Sequence, residues 1–153
     1  MKALNMKLHK QSGFTMLEVL VTMVIVSFGL LGIAGIIMNG LKNNQSSYSR
    51  SQASWLAGDI ADRMRANIIV AESAALKYNL TLSATTPAVA SPTTIANSDI
   101  IAWRTAIANT LQSGTGSINL DATSKKLTVI VQWDDSRAKG GKSNEQFIIE
   151  TLL

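Results

Sequence analysis

The chain has 153 residues, of which 46% are hydrophobic and only 16% are charged. Soluble domains typically contain about a quarter charged residues, so part of this chain is expected to lie out of water. The chain has no cysteine, which excludes disulfides, thiolate metal sites and cysteine nucleophiles. His9 is the single histidine, which argues against multi-histidine metal sites and most catalytic triads.

The net charge of +4 is concentrated at the N-terminus. Lys2, Lys7 and Lys10 lie in the first 13 residues, which contain no acidic residue. The other 11 basic and 10 acidic residues give residues 14–153 a net charge of +1. Because this remainder has no basic excess, no nucleic-acid partner is predicted.

An apolar segment follows this leader. Val19 to Leu41 are 23 residues without a charge. As a helix with a rise of about 1.5 Å per residue, the segment is about 35 Å long, enough to cross a bilayer core of about 30 Å. The cationic leader predicts a cytoplasmic N-terminus, so the rest of the chain lies across the membrane.

A cleavable secretory signal is the alternative interpretation of this segment. Gly32-Ile33-Ala34 resembles a small-x-small cleavage site. Against cleavage there, the apolar run continues through Met38, and a carboxylate, Glu18, lies early in the segment. N-terminal sequencing separates the two interpretations. A mature chain that begins ahead of the apolar run has kept it, whereas a mature chain that begins at Gly35 has been secreted without it.

The junction between leader and apolar run carries a specific motif. Residues 10–20 read KQSGFTMLEVL, with Gly13 before Phe14 and Glu18 fifth from Phe14. Hydropathy alone explains Glu18 as a carboxylate that snorkels to the headgroups. The full set closely resembles the class III signal of type IV pilins and pseudopilins. The resemblance implies cleavage between Gly13 and Phe14 by prepilin peptidase, N-methylation of Phe14, and retention of the apolar run as membrane anchor and filament core.

Such cleavage gives Glu18 a physical role in assembly. The new amine at Phe14 is mostly cationic at neutral pH. Glu18 of one subunit can pair with the amine of its neighbour, with a Coulomb attraction of about 4 kcal/mol at about 4 Å and an effective dielectric constant of about 20. Desolvation offsets part of this attraction, so the pair is expected to set register more than to add stability.

Residues 42–78 are predicted to continue the helix as an amphipathic segment. One apolar stripe recurs at three- and four-residue spacing: Ala53, Leu56, Ala57, Ile60, Ala61, Met64 and Ile68. On other faces, Asp59 and Arg63 are four apart, and Asp62 and Arg65 are three apart. Each pair is expected to form an exposed ion pair worth about 0.3–0.5 kcal/mol.

Residues 61–67 (ADRMRAN) and much of 11–67 resemble minor pilins of the PilV type. The resemblance implies a non-enzymatic subunit that initiates pilus assembly with other minor pilins, the major pilin and the inner-membrane assembly machinery, and that supports twitching motility and adhesion. It makes Asp59, Asp62, Arg63 and Arg65 candidate partner contacts, although without the resemblance a solvated helix face is the preferred explanation. It also implies a head in the periplasm and later in the extracellular pilus. A minor pseudopilin of a type II secretion system is the alternative.

Residues 79–153 are predicted to form a small head. Residues 81–98 suggest a polar loop, and residues 99–112 suggest a helix capped by Ser98 with Asp99 in its first turn. Three strands follow, around Ile118, across residues 125–133 and across residues 146–153, with a hairpin loop between the last two. The fold class is therefore α+β: a long N-terminal helix, membrane-spanning and then amphipathic, packed on an antiparallel sheet of about three strands.

No enzymatic motif or cofactor is predicted, since the sequence has no P-loop, GxGxxG, HExxH or GxSxG. Asp134, Asp135, Asn144 and Glu145 surround the last hairpin and offer oxygen ligands for calcium. Their spacing fits no known calcium loop, so an ordinary charged loop is favoured. The predicted segments are leader 1–13, anchor helix 14–41, amphipathic helix 42–78 and head 79–153.

Overall fold

A computed structural model describes residues 13–73, 77–82 and 94–153, so most of the basic leader lies outside the described residues. The helices are α1 Met16–Ala66, α2 Ile68–Ala71 and α3 Ile95–Thr110. The strands are β1 Thr115–Leu120, β2 Lys126–Trp133 and β3 Glu145–Leu152. The chain divides into two compact units between Met38 and Asn39. The α+β class, with a long helix packed on a three-stranded antiparallel sheet, is confirmed.

The first unit contains the apolar part of α1, whose side chains are all exposed through residue 38. Its two internal hydroxyl groups are satisfied within the helix: Thr22 Oγ1 donates to the Glu18 carbonyl and Ser27 Oγ to the Met23 carbonyl, each at 2.7 Å. These side chains therefore need no water, as a lipid environment requires. Of the described helices, α1 is the one long and apolar enough to cross a membrane.

The head sheet has the strand order β1-β2-β3, with both neighbouring pairs antiparallel. A tight turn joins β1 to β2, where the Asp121 carboxylate accepts the backbone N–H groups of Thr123 and Ser124. On β2 the expected alternation is confirmed, because one face is buried: Leu127, Val129, Val131 and Trp133. That face forms the sheet side of the hydrophobic core.

The core lies between this sheet face, α1 and α3. The predicted α1 stripe is buried from Ala53 to Met64, and α3 buries Ile100, Trp103 and Ile107. Trp103 joins the two helices, because its indole Nε1 donates to the Leu56 carbonyl of α1 at 2.8 Å. This bond satisfies the polar atom of a fully buried side chain, so the contact is both apolar and directional.

The amphipathic helix ends earlier than the expected residue 78. It stops at Ala66, and Asn67 adopts a non-helical conformation (φ −121°, ψ 43°) before the one-turn α2. The break removes Ile68 from the stripe, leaving its side chain 36% exposed. The seven-residue apolar pattern was therefore right for six positions and wrong for Ile68.

The start of α3 also differs from the prediction. The helix begins at Ile95, and Thr94 caps it by accepting the Asn97 N–H at 3.3 Å. Ser98, the expected cap, lies inside the helix, and Asp99 is used in a side-chain cluster described below. Thr and Ser are both favoured N-cap residues, so the sequence alone did not distinguish Thr94 from Ser98. Most of the expected loop 81–98 lies outside the described residues.

We predict that Gly116→Ala destabilises the head by about 1–3 kcal/mol, because it overpacks the core. A Cβ at Gly116 would collide with the Trp103 ring and lie 3.0 Å from Ile107 Cδ1. Gly58→Ala is the matched control, because a Cβ there meets nothing within 4 Å and alanine favours helix by up to about 1 kcal/mol. Thermal unfolding of the full chain in detergent measures both. Equal Tm values for the two variants would contradict this packing.

Candidate functional site

The predicted cleavage junction is exposed. Gly13 and Phe14 precede α1 in non-helical backbone, and the Phe14 side chain is 83% exposed. Glu18, one helical turn further, is also exposed and lies in the first turn of α1. The structure therefore places the three residues at the exposed start of the apolar helix.

Thr15 provides a feature that the sequence analysis missed. Its Oγ1 accepts the Glu18 N–H at 3.2 Å and its carbonyl accepts the same N–H at 3.1 Å, so Thr15 caps α1. The signal was present as Thr15-Met16-Leu17-Glu18, the T-x-x-E pattern of a capping box. A carboxylate in the first turn also interacts favourably with the helix dipole. Glu18 thus has a local stabilising role beside the assembly role predicted for it.

The candidate partner contacts on α1 form the expected ion pairs. Arg63 Nε lies 3.0 Å from Asp59 Oδ2, and Arg65 Nη1 lies 2.8 Å from Asp62 Oδ1. Both arginines also bind other elements, because Arg63 Nη1 reaches Asp99 of α3 at 3.4 Å and Arg65 Nη2 donates to Thr151 of β3 at 3.1 Å. These arginines therefore connect α1 to its neighbours within the head.

Exposure separates these four candidates. The Asp62 side chain is 77% exposed, whereas that of Asp59 is 26% exposed. Arg63 and Arg65 are intermediate, at 39% and 44%. Asp62 is consequently the carboxylate most available to a partner, and Asp59 is largely committed to the head.

Tyr78 and Asp99 complete the cluster around Arg63. The Tyr78 hydroxyl donates to Asp99 Oδ2 at 2.6 Å and accepts from Asn67 Nδ2 at 3.1 Å. Burial, followed by the bond to Asp99, raises the pKa of Tyr78 to about 12. The pKa of Arg63 is also raised, chiefly by its hydrogen bond to Asp59. The cluster therefore fixes the chain after the helix break by charge-assisted hydrogen bonds.

A buried arginine holds the segment at residues 77–82 against the sheet. Arg104 Nη2 donates to the Thr81 carbonyl at 2.7 Å and to the Gly116 carbonyl at 2.6 Å. Desolvation lowers the pKa of Arg104. Leu80 also pairs with Ile118 of β1 through backbone bonds of 2.8 and 2.9 Å. This segment therefore occupies part of the outer edge of β1. Neither Arg104 nor Tyr78 was singled out from the sequence, because neither lies in a recognisable motif.

Two acidic residues of the last hairpin are engaged by α1. Asp135 accepts the Ser46 hydroxyl at 2.6 Å, and Glu145 pairs with Arg50. Asp134 accepts the Ser136 N–H at 2.9 Å. In the part of the chain that the structure describes, no group of three or more acidic, histidine or cysteine side chains is arranged to hold a metal. A cavity of about 560 Å³ lies beside this loop, lined by residues that include Lys42, Gln112 and Arg137.

Comparison with known proteins gives one match. Residues 8–34 match the family model of the prokaryotic N-terminal methylation motif. The search of curated proteins and the search of solved structures each gave no match. The chain therefore carries a type IV prepilin-like leader and an N-terminal helix that is apolar and long enough to span a membrane. This motif points to a pilin or pseudopilin, a structural subunit, and implies processing by prepilin peptidase and contact with pilus-type machinery.

The raised pKa of Tyr78 predicts a pH-dependent loss of stability. Because the folded-state pKa of about 12 exceeds the ordinary tyrosine pKa of 10.0, the stabilisation is complete below pH 10 and is lost as the pH rises toward 12. A Tyr48→Phe variant leaves Tyr78 as the sole tyrosine, so phenolate absorbance reports its ionisation. Asp99→Asn in that background should lower the measured pKa. An unchanged pKa would contradict the role assigned to Asp99.

Proposed function

We propose that the chain is a minor pilin of the PilV type, made as an inner-membrane precursor and passed into an extracellular type IV pilus. Prepilin peptidase cleaves between Gly13 and Phe14, and Phe14 is then N-methylated. The apolar part of α1 anchors the subunit in the bilayer, with its N-terminus cytoplasmic and its head periplasmic. The subunit then contributes to pilus initiation with other minor pilins, and so to twitching motility and adhesion.

One observation carries this proposal: the Gly13–Phe14 junction is joined to a wholly exposed apolar helix that continues into a folded head. A secretory signal would be discarded, so it would not be expected to share one helix with the core of the mature domain. Here α1 supplies both the apolar run and the buried stripe from Ala53 to Met64. The shared helix supports a chain that keeps its anchor.

A minor pseudopilin of a type II secretion system remains the second candidate. Its leader and anchor would have the same form, so residues 8–34 support both equally. The resemblance of ADRMRAN to PilV-type minor pilins favours the pilus. In this proposal Asp62 and Arg65, the more exposed pair of the candidate contacts, meet a partner minor pilin, while Asp59 and Arg63 support the head.

We expect Glu18→Val to leave cleavage and methylation intact but to prevent entry into filaments, because the neighbour's Phe14 amine loses its carboxylate. The measurement is recovery of the chain in sheared filaments relative to membranes. Glu18→Asp keeps the charge and should retain part of the recovery. Thr15→Val removes the side-chain cap and tests the local role of this turn. If Thr15→Val reduces recovery as much as Glu18→Val, helix capping explains the effect and the charge pair is refuted.

Deletion of the gene distinguishes pilus from secretion. A minor pilin predicts fewer surface pili and reduced twitching, both restored by the wild-type gene but not by Glu18→Val. A pseudopilin predicts normal pili and loss of type II secretion. Normal piliation and twitching in the deletion strain would therefore contradict the pilus assignment.

A further inference from the structure

Basic side chains are concentrated where the apolar run of α1 ends. Lys42 directly follows Leu41, the last residue of that run, and the loop between β2 and β3 carries Arg137, Lys139 and Lys142. All four basic side chains are exposed. Among the residues that the structure describes, none of the four forms an ion pair. We call these four residues the basic cluster.

The head packs this loop against its own part of α1. Asp135 accepts the Ser46 hydroxyl at 2.6 Å, and the cavity of about 560 Å³ has both Lys42 and Arg137 in its wall. Lys139 lies on a second cavity, of about 240 Å³, whose wall also contains Ser46. All of these residues belong to the second compact unit. The fold of the head alone therefore brings Lys42 and the loop together.

The acidic side chains at this end are engaged within the head. Asp135 is only 6% exposed, and Glu145 pairs with Arg50. Asp134 accepts a backbone N–H of its own loop at 2.9 Å. With Arg50, the basic cluster sets five basic side chains against these three acidic ones, a net charge of +2. Because the acids have partners and the four bases are exposed, the charge presented to the outside is positive.

The opposite end of the sheet is arranged differently. Lys125 precedes β2 and Lys126 begins it, and they pair with Glu72 at 3.1 Å and with Glu150 at 2.8 Å. The eight residues of β2 place these lysines about 23 Å from the loop, at about 3.3 Å per residue. These two lysines are therefore neutralised, whereas the basic cluster is not.

The position of Lys42 in the sequence relates the basic cluster to a membrane surface. The 23 uncharged residues before it form about 35 Å of helix, and the bilayer core is about 30 Å thick. Lys42 is the first charged residue after this run, so in an anchored chain it falls among the headgroups. Ser46, which contacts the loop, lies one helical turn further, about 6 Å along the axis.

We propose, resting on the retained anchor of the proposed function, that the basic cluster binds the phosphate groups of anionic phospholipids on the periplasmic side of the membrane. Phosphate oxygens accept charge-assisted hydrogen bonds from lysine and arginine. The cavity shared by Lys42 and Arg137, at about 560 Å³, has the size of a small-molecule site and takes one headgroup. The head is thereby held at the bilayer until the chain is extracted into a filament.

Fluorescence quenching in lipid nanodiscs tests this contact with the mature full chain. Because the chain has no cysteine, Ser143→Cys places a single fluorophore on the loop. Ala122→Cys, on the exposed turn between β1 and β2, is the matched control. With a spin-labelled headgroup lipid as quencher, we expect phosphatidylglycerol in a phosphatidylcholine bilayer to increase quenching at position 143 and not at position 122. High salt should remove the increase. No increase at position 143, or an equal one at position 122, overturns the inference.

Charge variants test whether the basic cluster, rather than net charge, makes the contact. Arg137→Gln with Lys139→Gln should lower the ratio of lipid-bound to free heads about 25-fold, since each cation near an anionic surface contributes about fivefold. Lys125→Gln with Lys126→Gln removes the same formal charge from the opposite end and should leave the ratio unchanged. Equal losses in the two double variants refute the site. Thermal unfolding checks that both fold, and Lys142→Gln alone, with an expected loss of about fivefold, is the milder variant.

Two further measurements separate this inference from its alternatives. Calorimetric titration of the chain in phosphatidylcholine nanodiscs with inorganic phosphate should show no saturable binding. Saturable binding there would assign the cavity to free phosphate and overturn the lipid assignment. Filament entry is scored separately. A chain that begins at Phe14 and enters filaments, but lacks the response to phosphatidylglycerol, refutes this inference alone, whereas a chain that begins at Gly35 refutes the proposed function.

Discussion

The apolar half of α1 is the constraint on which the rest of the structure depends. From Met16 to Met38 its side chains are exposed, so the described chain offers them no protein cover. About 25 cal/mol is lost for each Å² of apolar surface left in water. The helix must therefore lie in a bilayer or against other apolar helices. A subunit that moves from lipid to a filament meets this requirement in both places.

The head is built around the continuation of the same helix. The stripe from Ala53 to Met64 is also apolar, and the sheet and α3 bury it. The Trp103 bond to the Leu56 carbonyl and the Arg63 and Arg65 contacts fix how α1 lies on these elements. The anchor is thus covalently continuous with a helix that lines the head core.

Periodicity was sufficient to predict most of this fold. The α1 stripe, the buried face of β2 and the three strands follow from spacings of three to four and of two residues, because burial on one face imposes those periods. The helix break at Asn67 was not predictable in the same way. Asn67 is stabilised there by Tyr78, eleven positions away, and such a tertiary contact leaves no periodic signal.

The candidate sites also differ in whether a local sequence signal predicts them or a tertiary contact forms them. The junction at Gly13, Phe14 and Glu18 was recognisable because it is a contiguous motif, and the family match at residues 8–34 covers it. The local pairs Asp59–Arg63 and Asp62–Arg65 followed from helix geometry. The further contacts of these arginines, with Asp99 and Thr151, join distant parts of the chain. The ion pair between Arg50 and Glu145 does the same. The strand order β1-β2-β3 likewise depends on pairing between distant residues.

The most direct test of retained anchoring is the mass of the mature chain, taken from membranes and from sheared filaments. The account predicts one species in both fractions, beginning at Phe14 and carrying one methyl group at its amine. A chain beginning at Gly35, or a chain recovered only as soluble protein, would contradict the claim that the apolar helix is kept and enters the filament.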